Sequence, residues 1–330
     1  HATAAEHPQR VVFAEGEHNT MMKAAVQAKM EGICHPVLLG NPDRLRRMAT
    51  RLKLDLTGIE LIDMRADQEQ GRRATYAKHL AEKRARDGYT FQEAYDKMYE
   101  RNYFGMMMVE TGDADAFITG LYTKYSNTIK VAKEVIGIRE ENSTFGTMHI
   151  INSPKGVLYL ADTLVNGDPN TDDLVDIAKL ASRTVKFFNE TPNIALISYS
   201  NFGSDTAPGS LKVKNAVKRV QDEMPELCID GEMQIGYALN RELRDQKYPF
   251  SKLVGKDVNT LVFPNLTSAR SAYKLLQMLS NDVEIIGPIQ MGLNKPIHFT
   301  DSESSVRDIV NITAIATIDA YVEKIKQGKK

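Results

Sequence analysis

The sequence has few cysteines, no long apolar run and almost no net charge. Two cysteines in 330 residues, Cys34 and Cys228, are too few for a disulfide framework and suit a reducing cytoplasm. No run of about 18 apolar residues is present, which excludes a membrane-spanning helix. The 42 basic and 43 acidic residues give a net charge of −1, which argues against a broad nucleic-acid or membrane surface.

The common local signatures of catalysis and cofactor binding are also missing. There is no G-x-G-x-x-G, no G-x-x-x-x-G-K-[ST], no H-E-x-x-H, no C-x-x-C and no G-x-S-x-G. The histidines are scattered without the spacing of metal ligands, so we expect no metal site. Any function must therefore come from residues that are distant in the sequence.

What is present is the composition of a soluble globular protein, with 42% hydrophobic and 26% charged residues and a length that suits about two domains. Short apolar runs alternate with segments of helical period, which predicts an α/β fold with parallel strands covered by helices. The predicted strands lie near 11–14, 36–40, 59–62, 116–120, 148–152, 157–161, 194–198, 260–263 and 283–286. Predicted helices include 90–102, and 302–325 with Thr300 and Glu303 at its start.

Four loops carry concentrated polar residues next to predicted strands, where open α/β sheets bind ligands. They are Gly120–Lys130, Ser198–Asp205, Asp230–Gln234 and Gly287–Pro296. The first precedes a helix N-terminus and suits an anion, although a capped helix with a solvated lysine is the simpler interpretation. The other three have equally simple alternatives, namely an Asx or Ser turn, a helix cap and a rigid turn.

Taken in order, these and neighbouring segments resemble the phosphate acetyltransferase family from about residue 10 to residue 321. The resemblance is carried by Tyr103–Val109, Gly112–Asp115, Asp230–Gln234, Phe263–Leu266 with Tyr273 and Lys274, and Gly287–Ile289 with Gly292, Lys295 and Pro296. It implies two three-layer α/β/α domains with mainly parallel central sheets and an interdomain cleft, as in the isocitrate/isopropylmalate dehydrogenases. It also implies a homodimer or higher homo-oligomer. The expected domains are 1–140 plus 289–330, and 141–288.

The sequence departs from active members of that family at the residues that handle phosphate. Asp301 and Ser302 stand where those members have serine and arginine, Met278 replaces a second arginine, and Lys130 replaces a third. A neutral hydroxyl cannot form the bidentate clamp of an arginine, and a neighbouring carboxylate repels phosphate. The resemblance therefore implies a retained pocket without most of its phosphate chemistry.

One variant segment points to a subclass. Ser200–Ser204 together with Asp230–Met233 resembles the acetyltransferase-like C-terminal half of hybrid NADP-dependent malic enzymes. That resemblance implies an acetyl-CoA-binding allosteric domain of a cytoplasmic enzyme, without acetyl transfer. The chain starts at His1 instead of Met, so we expect a piece of a longer protein. NADP and a divalent metal are then expected only in an N-terminal malic enzyme half, with no cofactor in this chain.

The resemblance also implies a set of binding residues, and no catalytic residue. Arg84, Lys130 and Lys274 would contact phosphates or the thioester carbonyl of acetyl-CoA. The residues that would line the same cleft are Thr123, Asn201, Ser302 and Asp308. Expected partners are a second copy of the chain, the N-terminal malic enzyme half and an acyl-CoA, with neither nucleic acid nor membrane. Two alternatives remain, an active phosphate acetyltransferase in which Lys130 and Arg84 replace the missing arginine, and a structural dimerisation module.

Overall fold

The structure, a computed structural model, describes residues 1–122 and 124–328. The chain forms two compact units, His1–Gly137 with Leu293–Lys330, and Ile138–Gly292. The resemblance placed the boundaries at 140/141 and 288/289. The second one falls later because the last strand of the second unit, Glu284–Met291, stays paired with Gly146–Asn152 as far as Met291.

Eleven strands and thirteen α-helices are present in the described part of the chain. The strands are β1 (Gln9–Phe13), β2 (Cys34–Leu39), β3 (Glu60–Ile62), β4 (Ala116–Thr119), β5 (Gly146–Ser153), β6 (Gly156–Ala161), β7 (Asn193–Ile197), β8 (Cys228–Met233), β9 (Thr260–Val262), β10 (Glu284–Met291) and β11 (Ile297–Phe299). The helices are α1 (Ala2–Glu6), α2 (Asn19–Met30), α3 (Pro42–Leu52), α4 (Gln70–Lys83), α5 (Phe91–Lys97), α6 (Arg101–Glu110), α7 (Tyr125–Val135), α8 (Thr171–Phe187), α9 (Pro208–Glu223), α10 (Ile235–Leu239), α11 (Arg241–Lys247), α12 (Leu266–Leu279) and α13 (Val306–Lys326).

The first unit contains a five-stranded sheet in the order β11-β4-β1-β2-β3. Each pair of neighbouring strands in it is parallel. Fully buried parallel strands read as continuous apolar runs, and β4 is buried at every position. The predicted parallel α/β architecture is therefore confirmed for this unit.

Helices cover both faces of the first sheet. Successive strand residues point to opposite faces, so Phe117 and Ile118 belong to different layers. Ile118 packs in one core with buried residues of α2 and α13. On the other face the ring of Phe117 lies against Gly105 of α6. The return of the chain through β11 and α13 completes this sheet and one of its two cores.

The second unit contains a six-stranded mixed sheet in the order β10-β5-β6-β9-β7-β8. β6, β9, β7 and β8 are parallel to one another, whereas β5 is antiparallel to both β6 and β10. The predicted β5–β6 hairpin around 154–156 is confirmed. One core joins strand residues such as Ala195 and Leu261 with Ala269 of α12. α8 and α9 contact the strands without joining that core, so they cover the opposite face.

Three element boundaries differ from the prediction. The segment 90–102 forms two helices, because α5 ends at Lys97 and α6 begins at Arg101. The polar segment Asp230–Met233 lies within β8 and does not follow it. The last helix is capped by Ser305 with Asp308 in a capping box, and not by Thr300 with Glu303.

No helix within residues 1–122 or 124–328 has both the length and the apolar character that spanning a bilayer requires.

Candidate functional site

The carboxyl edge of the first sheet is the natural place for a ligand. The chain runs from β1 outward through β2 to β3, and then returns to place β4 on the other side of β1. This change of direction makes the β1/β4 position a topological switch point, where the loops after the strands diverge and leave a crevice. Two cavities open at this edge, of about 620 Å³ and about 360 Å³.

The larger cavity, which we call the basic cleft, is lined by five cationic residues. They are Arg65, Lys97, Arg101, Lys124 and Lys130. Glu100 is the one carboxylate among its described lining residues. The guanidinium of Arg101 lies 5.4 Å from the ring centroid of Tyr122, whose side chain is 57% exposed. The cleft therefore combines excess positive charge with an open aromatic face.

Two helix N-termini reinforce that charge. Arg101 and Asn102 at the start of α6 and Asn127 in the first turn of α7 line the basic cleft, and the N-cap residues, Glu100 and Lys124, make no side-chain cap. The N–H groups of a first helical turn lack intrahelical partners, and the helix dipole is positive there. An anion such as a phosphate group satisfies both requirements.

The smaller cavity, which we call the glutamate crevice, shares Arg65, Arg101 and Tyr122 with the basic cleft. It is lined by Glu15, which lies two residues after the end of β1 and is 1% exposed. Oε1 of Glu15 accepts hydrogen bonds from the N–H of Gly120 at 2.9 Å and the hydroxyl of Thr119 at 3.0 Å. Burial raises the pKa of Glu15, and these hydrogen bonds and the charge of Arg101 offset part of that rise.

The loops at this edge approach one another too closely for a side chain at Gly120. Its φ is +142°, and a Cβ there would lie 2.3 Å from the carbonyl oxygen of Thr300. Only glycine fits such a backbone position without strain. The loop after β4 is therefore held against the segment that follows β11.

Two of the residues implied by the resemblance, Lys130 on α7 and Ser302 after β11, follow strands of the first sheet. Lys130 lines the basic cleft, is 68% exposed and lies 3.8 Å from Glu134 on the next turn. Ser302 follows β11, is exposed and donates to the carboxylate of Asp301 at 3.3 Å. Thr123 lies outside the described residues.

Arg84 and Asp308 have structural roles that account for their positions. Arg84 donates from Nε to the carbonyl oxygen of Glu134 at 2.6 Å and also binds the carbonyl oxygen of Lys133, so it caps the C-terminus of α7. Asp308 accepts from the N–H and the hydroxyl of Ser305, at 2.8 Å and 2.7 Å, at the start of α13. A ligand-binding role for either side chain stays a prediction.

Asn201 lies in the second unit, in the loop after β7. Its Oδ1 accepts from the N–H of Gln234 at 2.9 Å, which ties this loop to the end of β8. The loop is organised around Glu232, a fully buried carboxylate that accepts from the hydroxyl of Ser200 at 2.6 Å and the N–H of Gly203 at 2.8 Å. The dense polar run is thus explained by internal hydrogen bonds, and ligand binding by Asn201 is a prediction.

Lys274 also belongs to the second unit, on α12. Its Nζ lies 5.7 Å from the ring centroid of Tyr273. That ring in turn stacks on His149 at 4.2 Å, and Nδ1 of His149 is 2.7 Å from Oγ1 of Thr163. Lys274 therefore lies beside a cluster of aromatic and polar side chains formed by Tyr273, His149 and Thr163.

The sequence prediction missed most of the residues that line the basic cleft and the glutamate crevice. Glu15 follows a predicted strand directly, so its position at the end of β1 was a usable signal. Arg101 carried no such signal, because the continuous helix predicted over 90–102 placed it in a last turn and not in the first turn of α6.

The chemistry available at the first-unit edge is anion binding. Among the described residues, no group of three or more His, Cys, Asp or Glu side chains is placed to hold a metal ion. The cations of the basic cleft suit phosphate oxygens, and the exposed ring of Tyr122 next to Arg101 suits a flat aromatic group.

Comparison with known proteins identifies the family. The sequence profile described as phosphate acetyl/butaryl transferase matches residues 1–317. The NADP-dependent malic enzyme of Escherichia coli K12 is 34% identical over 319 residues, which are 96% of this chain and 42% of that enzyme. The phosphate acetyltransferase of Clostridium acetobutylicum is 31% identical over 96% of both chains.

A solved structure agrees with this assignment. The phosphotransacetylase from Streptococcus pyogenes superposes with a TM-score of 0.85 at 30% identity, over 96% of this chain and 94% of that one. The chain therefore resembles both free-standing phosphate acetyltransferases and the corresponding part of malic enzymes, of which it spans less than half the length. The chain belongs to the phosphate acetyl/butaryl transferase family.

Proposed function

We propose that this chain is an acetyl-CoA-binding regulatory and dimerisation domain of an NADP-dependent malic enzyme, and that it does not transfer acetyl groups. The observation that carries the proposal is the basic cleft, where five cations and one carboxylate line the uncapped N-termini of α6 and α7. The isocitrate/isopropylmalate dehydrogenase-like class of the fold and the homodimer are part of the proposal.

The basic cleft fits the chemistry of a CoA ester. Coenzyme A carries several phosphate groups and an adenine ring, and the cleft offers cations, helix N-termini and the exposed Tyr122 ring. Among the described residues, Arg101 and Lys124 form no ion pair within 4.0 Å, so both can contact phosphate oxygens in the cleft. A volume of about 620 Å³ is within the usual range of small-molecule pockets.

The segment after β11 argues against acetyl transfer. Attack of a phosphate oxygen on the thioester carbonyl, with the CoA thiolate as leaving group, is favoured by fixed cations or hydrogen-bond donors that hold the phosphate and stabilise the developing negative charge. Ser302 supplies only a hydroxyl, which hydrogen-bonds to the neighbouring carboxylate of Asp301, and Glu303 adds a second carboxylate. A segment of this composition disfavours a phosphoryl group at that position.

Regulation would work by linkage with the catalytic part of the longer protein. A ligand that binds one state of this domain more tightly shifts the population towards that state, and the coupling is reciprocal. This chain matches 42% of the NADP-dependent malic enzyme of Escherichia coli, and we place malate decarboxylation, NADP and a divalent metal in the rest of such a protein. Those sites are therefore proposed only for the remaining part of a longer protein.

The first experiment is calorimetric titration of the 330-residue chain with acetyl-CoA, followed by an assay for acetyl phosphate formation on the same sample. We expect saturable binding and no acetyl phosphate above the background without protein. Turnover would refute the inactive assignment, and absence of binding would refute the acyl-CoA assignment.

Lys124→Ala tests whether the basic cleft is the binding site. Removal of one charge-assisted contact costs about 2 kcal/mol, so we expect Kd for acetyl-CoA to rise by about 30-fold. The matched control is Lys155→Ala in the β5–β6 turn, an exposed lysine of the second unit. Equal effects of both substitutions would mean that general charge, and not the cleft, controls affinity.

A second candidate function is active phosphate acetyl transfer. It is favoured by the full-length match to the Clostridium acetobutylicum enzyme, which covers 96% of both chains. Lys130 would then supply the cation in place of an arginine. In that case Lys130→Ala should abolish acetyl phosphate formation, whereas the regulatory proposal predicts no formation by either protein.

A further inference from the structure

Three buried polar groups join the glutamate crevice to the basic cleft. Oγ1 of Thr119 lies 3.0 Å from Oε1 of Glu15 and 2.7 Å from Oδ1 of Asn102. All three residues are at most 7% exposed. Glu15 lines the glutamate crevice and Asn102 lines the basic cleft, so the short row passes from one cavity to the other.

The protons of this row limit the arrangements that it can adopt. The Thr119 hydroxyl has one proton, yet both of its neighbours are placed as acceptors. If Thr119 donates to Asn102, its contact with Glu15 needs a proton on the Glu15 carboxyl. If Glu15 is ionised, Thr119 donates to Glu15, and the Asn102 amide must turn to donate its NH2 group to Thr119.

The orientation of Asn102 decides what the basic cleft meets. When Oδ1 of Asn102 faces Thr119, its NH2 group faces away from Thr119 and is a donor to an anion. When the amide is turned, the carbonyl oxygen takes that place and repels an anion. The basic cleft should therefore bind an anion more tightly when Glu15 is protonated than when Glu15 is ionised.

We propose that Glu15, Thr119 and Asn102 form a proton-linked relay that couples protonation of Glu15 to anion binding in the basic cleft. Glu15 is a positioning residue in this scheme, since it acts on the ligand through Asn102. The inference rests on the proposed function, because it concerns the phosphate-binding part of the same cleft. The relay further implies that the protein takes up a proton at Glu15 when an anion binds in the basic cleft.

The surroundings of Glu15 favour its protonated form. One of its oxygens, Oε2, is buried and has no hydrogen-bond partner among the described residues, which leaves the ionised form poorly stabilised. Burial also raises the pKa of the carboxyl, and Arg101 on α6 opposes that rise. The other charged or titratable groups lining the crevice are Glu17, Arg44, Asp63, Arg65 and Tyr122, with His18 at the start of α2.

The direction of the pH dependence follows from the linkage between anion binding and protonation of Glu15. An anion in the cleft stabilises the protonated form of Glu15, so the complex holds the proton at a higher pH than the free chain does. Affinity is therefore highest at low pH and falls as the pH rises through the pKa of Glu15 in the free chain. One proton per site limits the fall to about tenfold per pH unit.

Sulfate is a suitable probe, because it stays fully ionised from mildly acidic to mildly basic pH, so that a pH dependence of its binding must come from the protein. We would measure sulfate and acetyl-CoA binding by calorimetry at several pH values, in buffers of different ionisation enthalpy. Comparison of these buffers gives the number of protons taken up on binding. We expect proton uptake and weaker binding at higher pH for the unaltered chain.

Glu15→Gln should retain sulfate binding but lose the proton uptake and the pH dependence. Thr119→Val, in which the new side chain has nearly the same shape, should retain sulfate binding with a smaller pH dependence. This variant tests the relay if Glu15→Gln does not fold. His18→Asn is the control, since asparagine can also cap α2 but does not titrate; we expect it to retain the uptake.

Two results would overturn the relay. One is a pH dependence in Glu15→Gln equal to that of the unaltered chain, and the other is sulfate binding by the unaltered chain without proton uptake. Absence of both sulfate and acetyl-CoA binding at every pH is a different result, because it removes the proposed function and the relay together.

Discussion

Gly105→Ala should loosen the contact between α6 and the first sheet. A Cβ at this position would lie 2.0 Å from Cε2, 2.7 Å from Cδ2 and 3.0 Å from Cζ of Phe117. Carbon atoms pack best at about 3.5–4.0 Å, so either α6 or the ring must move. Phe117 is fully buried in a close-packed core, so its ring cannot move away without displacing other side chains, and the substitution should be destabilising.

The expected magnitude is a loss of about 2 kcal/mol. Overpacking of a core costs about 1–3 kcal/mol, and a clash with three ring atoms belongs at the upper end of that range. Replacing a glycine inside a helix by alanine stabilises the helix by about 0.5–1 kcal/mol, which offsets part of that cost. For a unit of this size, the net loss lowers the melting temperature by about 6 °C.

Gly71→Ala is the matched control, because it makes the same chemical change on α4 of the same unit. No atom lies within 4 Å of the position of its Cβ. We expect this substitution to stabilise the unit by about 0.5 kcal/mol, so the two variants should differ in sign. A double variant, Gly105→Ala with Phe117→Leu, should be less destabilised than the sum of its parts.

The assay has to separate the two units, since a two-unit chain need not unfold in one step. Hydrogen exchange of the amides of α6 and β4 reports the first unit, and the amides of β7 and β9 report the second. If Gly105→Ala and Gly71→Ala change the first unit equally, the argued contact between α6 and Phe117 does not exist. The same experiment bears on function, because α6 carries Arg101 and Asn102 into the basic cleft.

Further predictions concern single residues. Burial raises the pKa of Cys34 to about 12, so a thiol reagent at neutral pH should label Cys228 and leave Cys34 unmodified until the chain unfolds, as mass spectrometry can show. Asp162→Ala should lower the free energy of unfolding of the second unit by about 4 kcal/mol in denaturant titrations, because four backbone N–H groups lose their acceptor. Ser305→Ala should cost the first unit about 1 kcal/mol through loss of the N-cap of α13, and an unchanged stability would contradict the capping role.

Much of the fold was predictable because its strands are apolar and continuous. β4, for example, is buried at every position, and such a run between helical segments is typical of a parallel sheet. β8 was harder, because Asp230 and Glu232 lie inside it. Glu232 can be buried there only since Ser200 and Gly203, about 30 residues away in the chain, supply its hydrogen bonds. Local sequence does not contain that information.

Some features of the candidate site could also be predicted from local sequence, whereas others could not. The helix after β4 and the place of Lys130 on it were predictable from the loop that follows the strand. Arg101 and Lys97 enter the same cleft only because α5 and α6 break between Lys97 and Arg101, with no glycine or proline to mark the break. Arg84 has a contact that the sequence did not indicate, since its guanidinium binds carbonyl oxygens at the end of α7, while its role in ligand binding stays a prediction.

The order in which a ribosome makes this chain differs from the order in which its first sheet is assembled. Thr300, just after β11, donates to the carbonyl oxygen of Thr119 at the end of β4 across 181 residues of sequence. Translation of that stretch takes on the order of 10 s, long enough for the inserted second unit to emerge and fold. Throughout that time β4 has one unpaired edge, and an unpaired edge can pair with other nascent chains. Slow or interrupted synthesis near the C-terminus should therefore harm the yield of this protein more than the stability of the finished fold would indicate.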